Sequence, residues 1–324
     1  MAAEILPFDD SPEMRRRAAG FLAKRFSNQG AASEDVWLER MAHWWDANPS
    51  TEWHPARGWW IECDGAMSAF VGVIPTEYRL GAKPVAGLIG TSWVMDASCR
   101  ADCIRMAMKF QRLGGDAVLI ATTPSPEVRA LLGKGGWTPN AAHERWIVPG
   151  WPLLRRFFLG AHSAHPPGCR FTTDLAAVSQ IRTSEPADGV LSRARSLEIL
   201  RWYVASPARE HHFAGWVDEK GVLSGYVIVA SAMVRGGRAW EVVESGPEGF
   251  DGRDLAGLVA RLLDGLPPRR WLVLNRLGNP LEPEWEGVRP VHRSSPERTL
   301  YFRTPSDMPV AVKTWQMTEG DLGL

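Results

Sequence analysis

The six residues Trp44-Trp45-Asp46-Ala47-Asn48-Pro49 return 158 positions later as Trp202-Tyr203-Val204-Ala205-Ser206-Pro207. The correspondence continues downstream. Gly58-Trp59-Trp60-Ile61-Glu62 and the turn Asp64-Gly65 match Gly215-Trp216-Val217-Asp218-Glu219 and the turn Lys220-Gly221. An apolar run follows each turn, Met67 to Ile74 in one half and Val222 to Ala230 in the other. Each run leads to a glycine turn, Gly81-Ala82-Lys83 or Gly236-Gly237-Arg238. One shared pair of aromatics would mean little. An ordered series at a nearly constant offset means two copies of one supersecondary plan, each about 150 residues long and so of ordinary domain size.

The copies predict a domain over residues 1–149, a connector over 150–168, a second domain over 169–304 and a tail over 305–324. In the connector Pro166-Pro167-Gly168 marks a loop, and Leu153 to Leu159 has room for one or two helical turns lying on a domain surface. With 45% hydrophobic and 23% charged residues among 324, disordered, collagen-like and coiled-coil classes drop out. The 37 basic residues are balanced by 37 acidic ones, which removes the long-range field of a dedicated nucleic-acid binder. The run Arg15-Arg16-Arg17 accordingly reads as a solvated helix face. Four cysteines do not make a disulfide framework in a chain this long, and no window approaches 18 uninterrupted apolar residues. The start MAAEILPFDDSPEM has acids where a signal peptide has its basic region. A soluble, cytoplasmic protein without a membrane span is expected.

Within the first copy, Ser11-Pro12 opens a helix with Met14, Ala18, Phe21 and Leu22 on one face. A second helix starts at Ser33, carries Trp37, Met41, Trp44 and Trp45 at helical spacing, and stops at Asn48-Pro49. Strands are predicted over Trp59 to Ile74 and Ala86 to Met95, then a helix from Arg100 to Leu113, a strand from Ala117 to Ala121 and a helix from Pro126 to Leu132. The second copy repeats the end of this order with a strand from Trp240 to Val243, a helix from Asp254 to Leu263 and a strand from Trp271 to Asn275. A meander joined to a β-α-β unit defines an α+β, or mixed α/β, domain.

Over Val85 to Trp137 this order resembles the GNAT superfamily of acyl-CoA-dependent N-acyltransferases. Leu88 to Met95 is similar to the strand that binds the pantetheine arm, and Arg100 to Leu113 to the helix after the pyrophosphate loop. Ala117 to Ala121 resembles the next strand, and Ser125 to Trp137, with Gly136-Trp137, the closing helix. The paired halves resemble tandem GNAT proteins of bacterial polysaccharide biosynthesis and, more remotely, Fem-type aminoacyl ligases. The resemblance implies two tandem GNAT-like domains, each a mixed, mostly antiparallel sheet flanked by helices. It also implies acetyl-CoA or another acyl-CoA as donor, with the pyrophosphate on a helix N-terminus.

That resemblance places the donor on Met95, Arg100, Ala101, Cys103, Ile104 and Arg105. The family's loop reads Arg/Gln-x-x-Gly-x-Gly/Ala, so Arg100 matches while Cys103 and Arg105 stand where glycines belong. Asp102 adds negative charge beside the expected phosphate. Arg100 and Arg105 are suited to clamp that phosphate, or else are solvated residues of a surface helix. Where many members carry a thiolate-protonating Tyr, this chain has Leu132. Asp96, at the strand end, is a candidate general base or an N-cap for the following helix. In the second copy Glu241 and Glu244 flank the equivalent strand; Glu244 is expected inward, on the face of Trp240 and Val242, as a second catalytic candidate. His211 and His212 open a strand on alternate faces, and only one can face a cleft. Cys99 and Cys103, one helical turn apart, read as structural, as does His162-x-x-His165-x-x-x-Cys169 in the Pro-rich connector; no metal is expected.

The 16 Trp residues, against 4 Tyr and 11 Phe, are partly explained by the duplication. Trp44, Trp45, Trp59, Trp202 and Trp216 belong to the copied pattern. Trp53 and Trp60 have no Trp counterpart, and read either as stacking faces for a sugar or flat acceptor or as core aromatics. The expected activity is transfer of an acyl group to an amine of a sugar, glycan precursor or related small molecule. The alternatives are a catalytically degenerate binding or scaffold protein in a polysaccharide or secondary-metabolite pathway, and a Fem-type ligase, which would need a basic groove for aminoacyl-tRNA.

Overall fold

The computed structural model describes residues 4–26, 33–115, 117–122, 124, 126–139, 144–159, 166–182, 190–246, 252–276, 288–294, 301–305 and 314–316. In chain order the first part runs β1 (Ile5–Pro7), α1 (Pro12–Arg25), α2 (Glu34–Trp45), β2 (Gly58–Cys63), β3 (Ala66–Leu80), β4 (Lys83–Met95), α3 (Cys103–Arg112), β5 (Ala117–Ala121), α4 (Pro126–Lys134) and β6 (Thr138–Pro139). There follow β7 (Glu144–Pro149), α5 (Pro152–Leu159), β8 (Arg170–Thr172), β9 (Gln180–Ile181), β10 (Val190–Arg193), α6 (Leu197–Val204), β11 (His211–Val217), β12 (Val222–Val234) and β13 (Gly237–Gly246). The last elements are α7 (Gly252–Asp264), β14 (Trp271–Arg276), β15 (His292–Ser294), β16 (Tyr301–Arg303) and β17 (Thr314–Gln316), of which β17 pairs in parallel with β10.

Local chemistry sets the helix starts. Ser11 Oγ accepts from the Met14 N–H at 3.2 Å and Ser33 Oγ from the Val36 N–H at 3.3 Å, capping α1 and α2 as their sequences predict. In the second copy Ser196 Oγ accepts from Ile199 N–H at 3.2 Å and opens α6. The aromatic stripe of α2 is buried, and Trp45 Nε1 donates to the Val73 carbonyl of β3 at 2.9 Å. Asn48, just past α2, donates from Nδ2 to the Trp44 and Pro75 carbonyls at 2.9 and 2.8 Å, which explains its buried place in the copied segment.

The chain divides into two compact units, the first made mainly of Met1–Asn140 and Thr299–Val312, the second of Ala141–Arg298 and Lys313–Gly323. The first sheet has the order β1-β2-β3-β4-β5-β16-β6, and only β4 and β5 pair in parallel along that path. The second has the order β15-β7-β14-β13-β12-β11-β8, again with one parallel pair, β13 and β14; β9 adds in parallel to β12. Both are mixed, mostly antiparallel sheets. One face of the first sheet packs Val71, Val73, Leu88 and Leu119 against Met106 and Phe110 of α3. The matching face of the second packs Val227, Val229, Trp240 and Val242 against Leu255, Leu258, Val259 and Leu262 of α7.

The packed units and the sequence copies are different partitions. β7, within residues 1–149, pairs with β14 of the second sheet over all six of its residues, and β16, within 169–304, pairs with β5 of the first. Each sheet is completed by a strand from the other half of the sequence. A repeat search compares local patterns, so it finds the copies and passes over such an exchange.

Candidate functional site

β4 carries the geometry of interest. It pairs with β5 from Ala86↔Ala117 to Gly90↔Ala121, where β5 ends, and continues through Met95 with no partner strand on that side among the described residues. On its other side the ladder with β3 is broken. Phe70 pairs with Val94 and Gly72 with Thr91, so Ser92 and Trp93 together face Val71. This is a β-bulge, and its residue Ser92 has a left-handed backbone, φ 51°. Beside it the indole Nε1 of Trp93 is buried with no hydrogen-bond partner among the described residues, its ring set edge-on to Phe110 at 6.3 Å. A buried N–H in that state costs roughly 1–3 kcal/mol.

From Met95, half-buried opposite Ala69, the chain enters the 3-10 turn Ala97–Asp102, and α3 begins only at Cys103. The helix predicted from Arg100 therefore starts one turn later, because Cys99 N–H closes back onto the Asp96 carbonyl at 3.0 Å. Arg100 and Ala101 lie in the turn, and the Arg100 side chain falls outside the described part of the structure. The first residues of α3 are Cys103, Ile104 and Arg105. Asp102 sits at the N-cap but makes no side-chain cap bond; its carboxylate instead accepts from Arg105 Nη1 at 2.6 Å. The negative charge expected to oppose a phosphate is thus met by Arg105 from within the same turn. Ile104 is exposed, and burial pushes the Cys103 thiol above its ordinary pKa, which argues against a reactive nucleophile. The nearest recorded thiol to Cys99 is Cys63, Sγ to Sγ 3.1 Å.

Asp96 donates its N–H to the Ser68 carbonyl at 2.7 Å and pairs through its carboxylate with Arg25 of α1. It does not cap α3. It lies on a cleft of about 480 Å³ whose walls include Arg16, Arg17, Phe21, Lys24 and Arg25. Arg17 reaches Glu62 at 2.7 Å and lies over the Trp60 ring at 4.8 Å, whereas Arg16 and Lys24 form no ion pair among the described residues. Trp60 itself is only 5% exposed, so of the two tryptophans proposed to stack on an acceptor it is built into the core, while Trp53, 39% exposed, keeps an accessible ring. Leu132 is buried in the first core and offers no proton.

The second unit repeats the bulge. Glu244 pairs with Ile228 and Val242 with Val229, leaving Val243 extra. That residue reverses the expected facing of Glu244. Val242 and Trp240 point to the α7 core, whereas Glu244 and Glu241 both point to the opposite face. Alternation counted along the sequence fails at a bulge. Both glutamates are buried and held by arginine. Arg195 Nε donates to Glu244 Oε1 at 2.9 Å, and Tyr226 OH donates to the same oxygen at 3.3 Å; burial, then the Glu244 charge, drives the Tyr226 pKa well up. Arg145 donates to Glu241 Oε1 at 2.7 Å and Arg209 to Oε2 at 2.6 Å. Burial alone would raise the Glu241 pKa, but Arg209 and then Arg145 outweigh it and hold the carboxyl below its ordinary value. Glu241 also closes the β13/β14 ladder, and beyond it Asn275 Nδ2 donates to the Val242 carbonyl at 3.1 Å, bridging the gap where the strands part. Arg145, Arg209 and Asn275 escaped the sequence reading because they lie 96, 32 and 34 positions from Glu241. His211 and His212 do take opposite faces, against Tyr203 and Trp240 respectively. His162 and His165 lie outside the described residues.

No protein-family model matches the chain, and no curated protein matches it by sequence. Solved structures do. A GCN5-related N-acetyltransferase from Anabaena variabilis superposes with a TM-score of 0.60 at 8% identity, over 94% of this chain and 73% of that one. A conserved protein from Enterococcus faecalis, described as a probable N-acyltransferase, gives 0.61 at 10% identity over 94% and 73%. A tandem GNAT protein from the clavulanic acid biosynthesis pathway gives 0.50 at 14% identity over 95% of this chain and all of that one. The fold is a tandem GNAT fold, two GNAT-like units in one chain. No helix among the described residues is long and apolar enough to cross a membrane.

Proposed function

We propose that the protein is an acyl-CoA-dependent N-acyltransferase whose donor site is the first unit and whose acceptor is an amine of a small molecule. The observation that carries this is the bulged, half-unpaired end of β4, with left-handed Ser92 and the orphaned Trp93 N–H, its ring against Phe110 of α3. An acyl-CoA suits these residues. An unpaired strand edge pairs with amides as an added strand does, a buried lone donor is satisfied by a carbonyl, and the positive end of the α3 dipole suits an anion. The donor supplies an activated thioester carbonyl; the chain supplies position. With Leu132 at the position where relatives of this fold often carry a proton donor, transfer rests on proximity and on an amine delivered neutral, the C–N bond forming as the C–S bond breaks. Asp96 stands at the strand end as the carboxylate that takes the amine's proton, paired with Arg25 of α1. The basic cleft around it favours an acceptor that also bears an anionic group, and Trp53 offers a face to a sugar or another flat ring.

A second reading, a binding protein that has lost catalysis, is favoured by the Asp102–Arg105 pair and by the bridged strand gap in the second unit. A Fem-type ligase finds less support, since two of the cleft's four cations, Arg17 and Arg25, are already paired with acids. Thiol release from acetyl-CoA and longer acyl-CoAs in the presence of amino sugars and acidic amines separates these readings. The acyltransferase releases thiol in step with amine consumed, and Asp96→Asn slows it by about 10²-fold or more if Asp96 is the base. Binding without release from any pair would leave the degenerate protein.

A further inference from the structure

The second unit holds a cavity of about 330 Å³ lined by Arg145, Arg209, Arg238, Arg269 and Glu241, with Met233 at its rim. It lies along the first half of β13, beneath the β12–β13 turn. A donor bound as in the first unit would instead use the far end of that strand. We propose that this cavity is a binding site for a small molecule carrying a dianionic phosphoryl group, independent of the donor site.

Three features support that assignment. Glu241 is 2% exposed and takes one arginine on each carboxylate oxygen, so a single buried anion fixes two guanidinium groups from different elements, β7 and the loop before β11. Arg269 is fixed separately: it lies over the Trp240 ring, 3.7 Å to the centroid, and donates to Glu210 Oε2 at 2.6 Å. Four arginines thus line one cavity against a single carboxylate in its wall among the described residues, or two when Glu210 is counted. A triad built only to hold the sheet would need neither Arg238 nor Arg269 around an open cavity. Convergent like charges are costly, and an anion between them relieves that cost. The geometry favours phosphoryl over carboxylate. Arginines from β7, β13 and two loops border the cavity from separate elements, a distribution that suits the tetrahedral oxygens of a phosphate better than the two coplanar oxygens of a carboxylate.

The test uses the full chain, with inorganic phosphate, phenyl phosphate, acetate and chloride at matched ionic strength, read by calorimetry and by the thermal midpoint. Saturable phosphate and phenyl phosphate binding with a raised midpoint is expected, and acetate should behave as chloride does. Arg209→Ala removes one partner of a buried carboxylate and endangers folding, so the deciding variant is Arg238→Glu at an exposed position. It should weaken phosphate binding by about tenfold or more while leaving the unliganded midpoint close to wild type. Phosphate indistinguishable from chloride, acetate binding equally well, or binding unaffected by Arg238→Glu would each overturn the proposal.

Discussion

At the residue scale, what distinguishes this chain is how many buried ionisable groups have a named counterpart far away in sequence. Glu241 with Arg145 and Arg209, and Glu244 with Arg195 and Tyr226, are satisfied charges, not poised bases. His43 differs. It sits 6% exposed on α2, and burial pushes its pKa down to about 4 from an ordinary 6.5. The folded protein therefore refuses a proton that the unfolded chain accepts between those values. Stability from this group is fully present above pH 6.5 and is lost as pH falls toward 4, amounting to about 3 kcal/mol at most. Urea unfolding of wild type and His43→Gln across this range should show the wild type losing stability more steeply than the variant on acidification, with parallel behaviour above it. Identical pH profiles would show that His43 is not held neutral. None of this was visible in the sequence, because hydrophobic period places His43 on α2 but does not tell which of its neighbours surround it.

At the element scale, helices and most strands were legible because their signals are local. Ser11-Pro12 and Ser33 cap where they should, and Ala117 to Ala121 was placed to the residue. What was not legible depends on pairing. The bulges at Ser92 and Val243 arise from register between strands, and the second one turned Glu244 to the other face. Ser92 holds the left-handed conformation without being glycine, which costs roughly 1–2 kcal/mol. Ser92→Gly should consequently leave stability unchanged or raise it by up to about 1 kcal/mol, while Ser92→Val lowers it by about 1–2 kcal/mol, as measured by urea midpoints. A valine variant as stable as wild type would mean the bulge is not held in solution. The start of α3 moved for a related reason: a 3-10 closure onto the Asp96 carbonyl precedes it, and no residue type marks that.

At the scale of the whole molecule, the duplication was plain in the sequence and the strand exchange was not. β7 and β16 each complete the sheet of the other half, so the two GNAT-like units are covalently interleaved along the chain. The copies have diverged in their chemistry. In the first, β4 beyond Gly90 has an open edge; in the second, Asn275 spans the equivalent gap and four arginines line a cavity lower on the strand. The proposed function, taken with that difference, predicts one donor site per chain. Isothermal titration of the full chain with acetyl-CoA and longer acyl-CoAs tests it most directly. Saturable binding at one site per chain, weakened about tenfold or more by Trp93→Phe through loss of its N–H to a buried carbonyl, is the predicted result. No binding of any acyl-CoA, or two equivalent sites per chain, would contradict it.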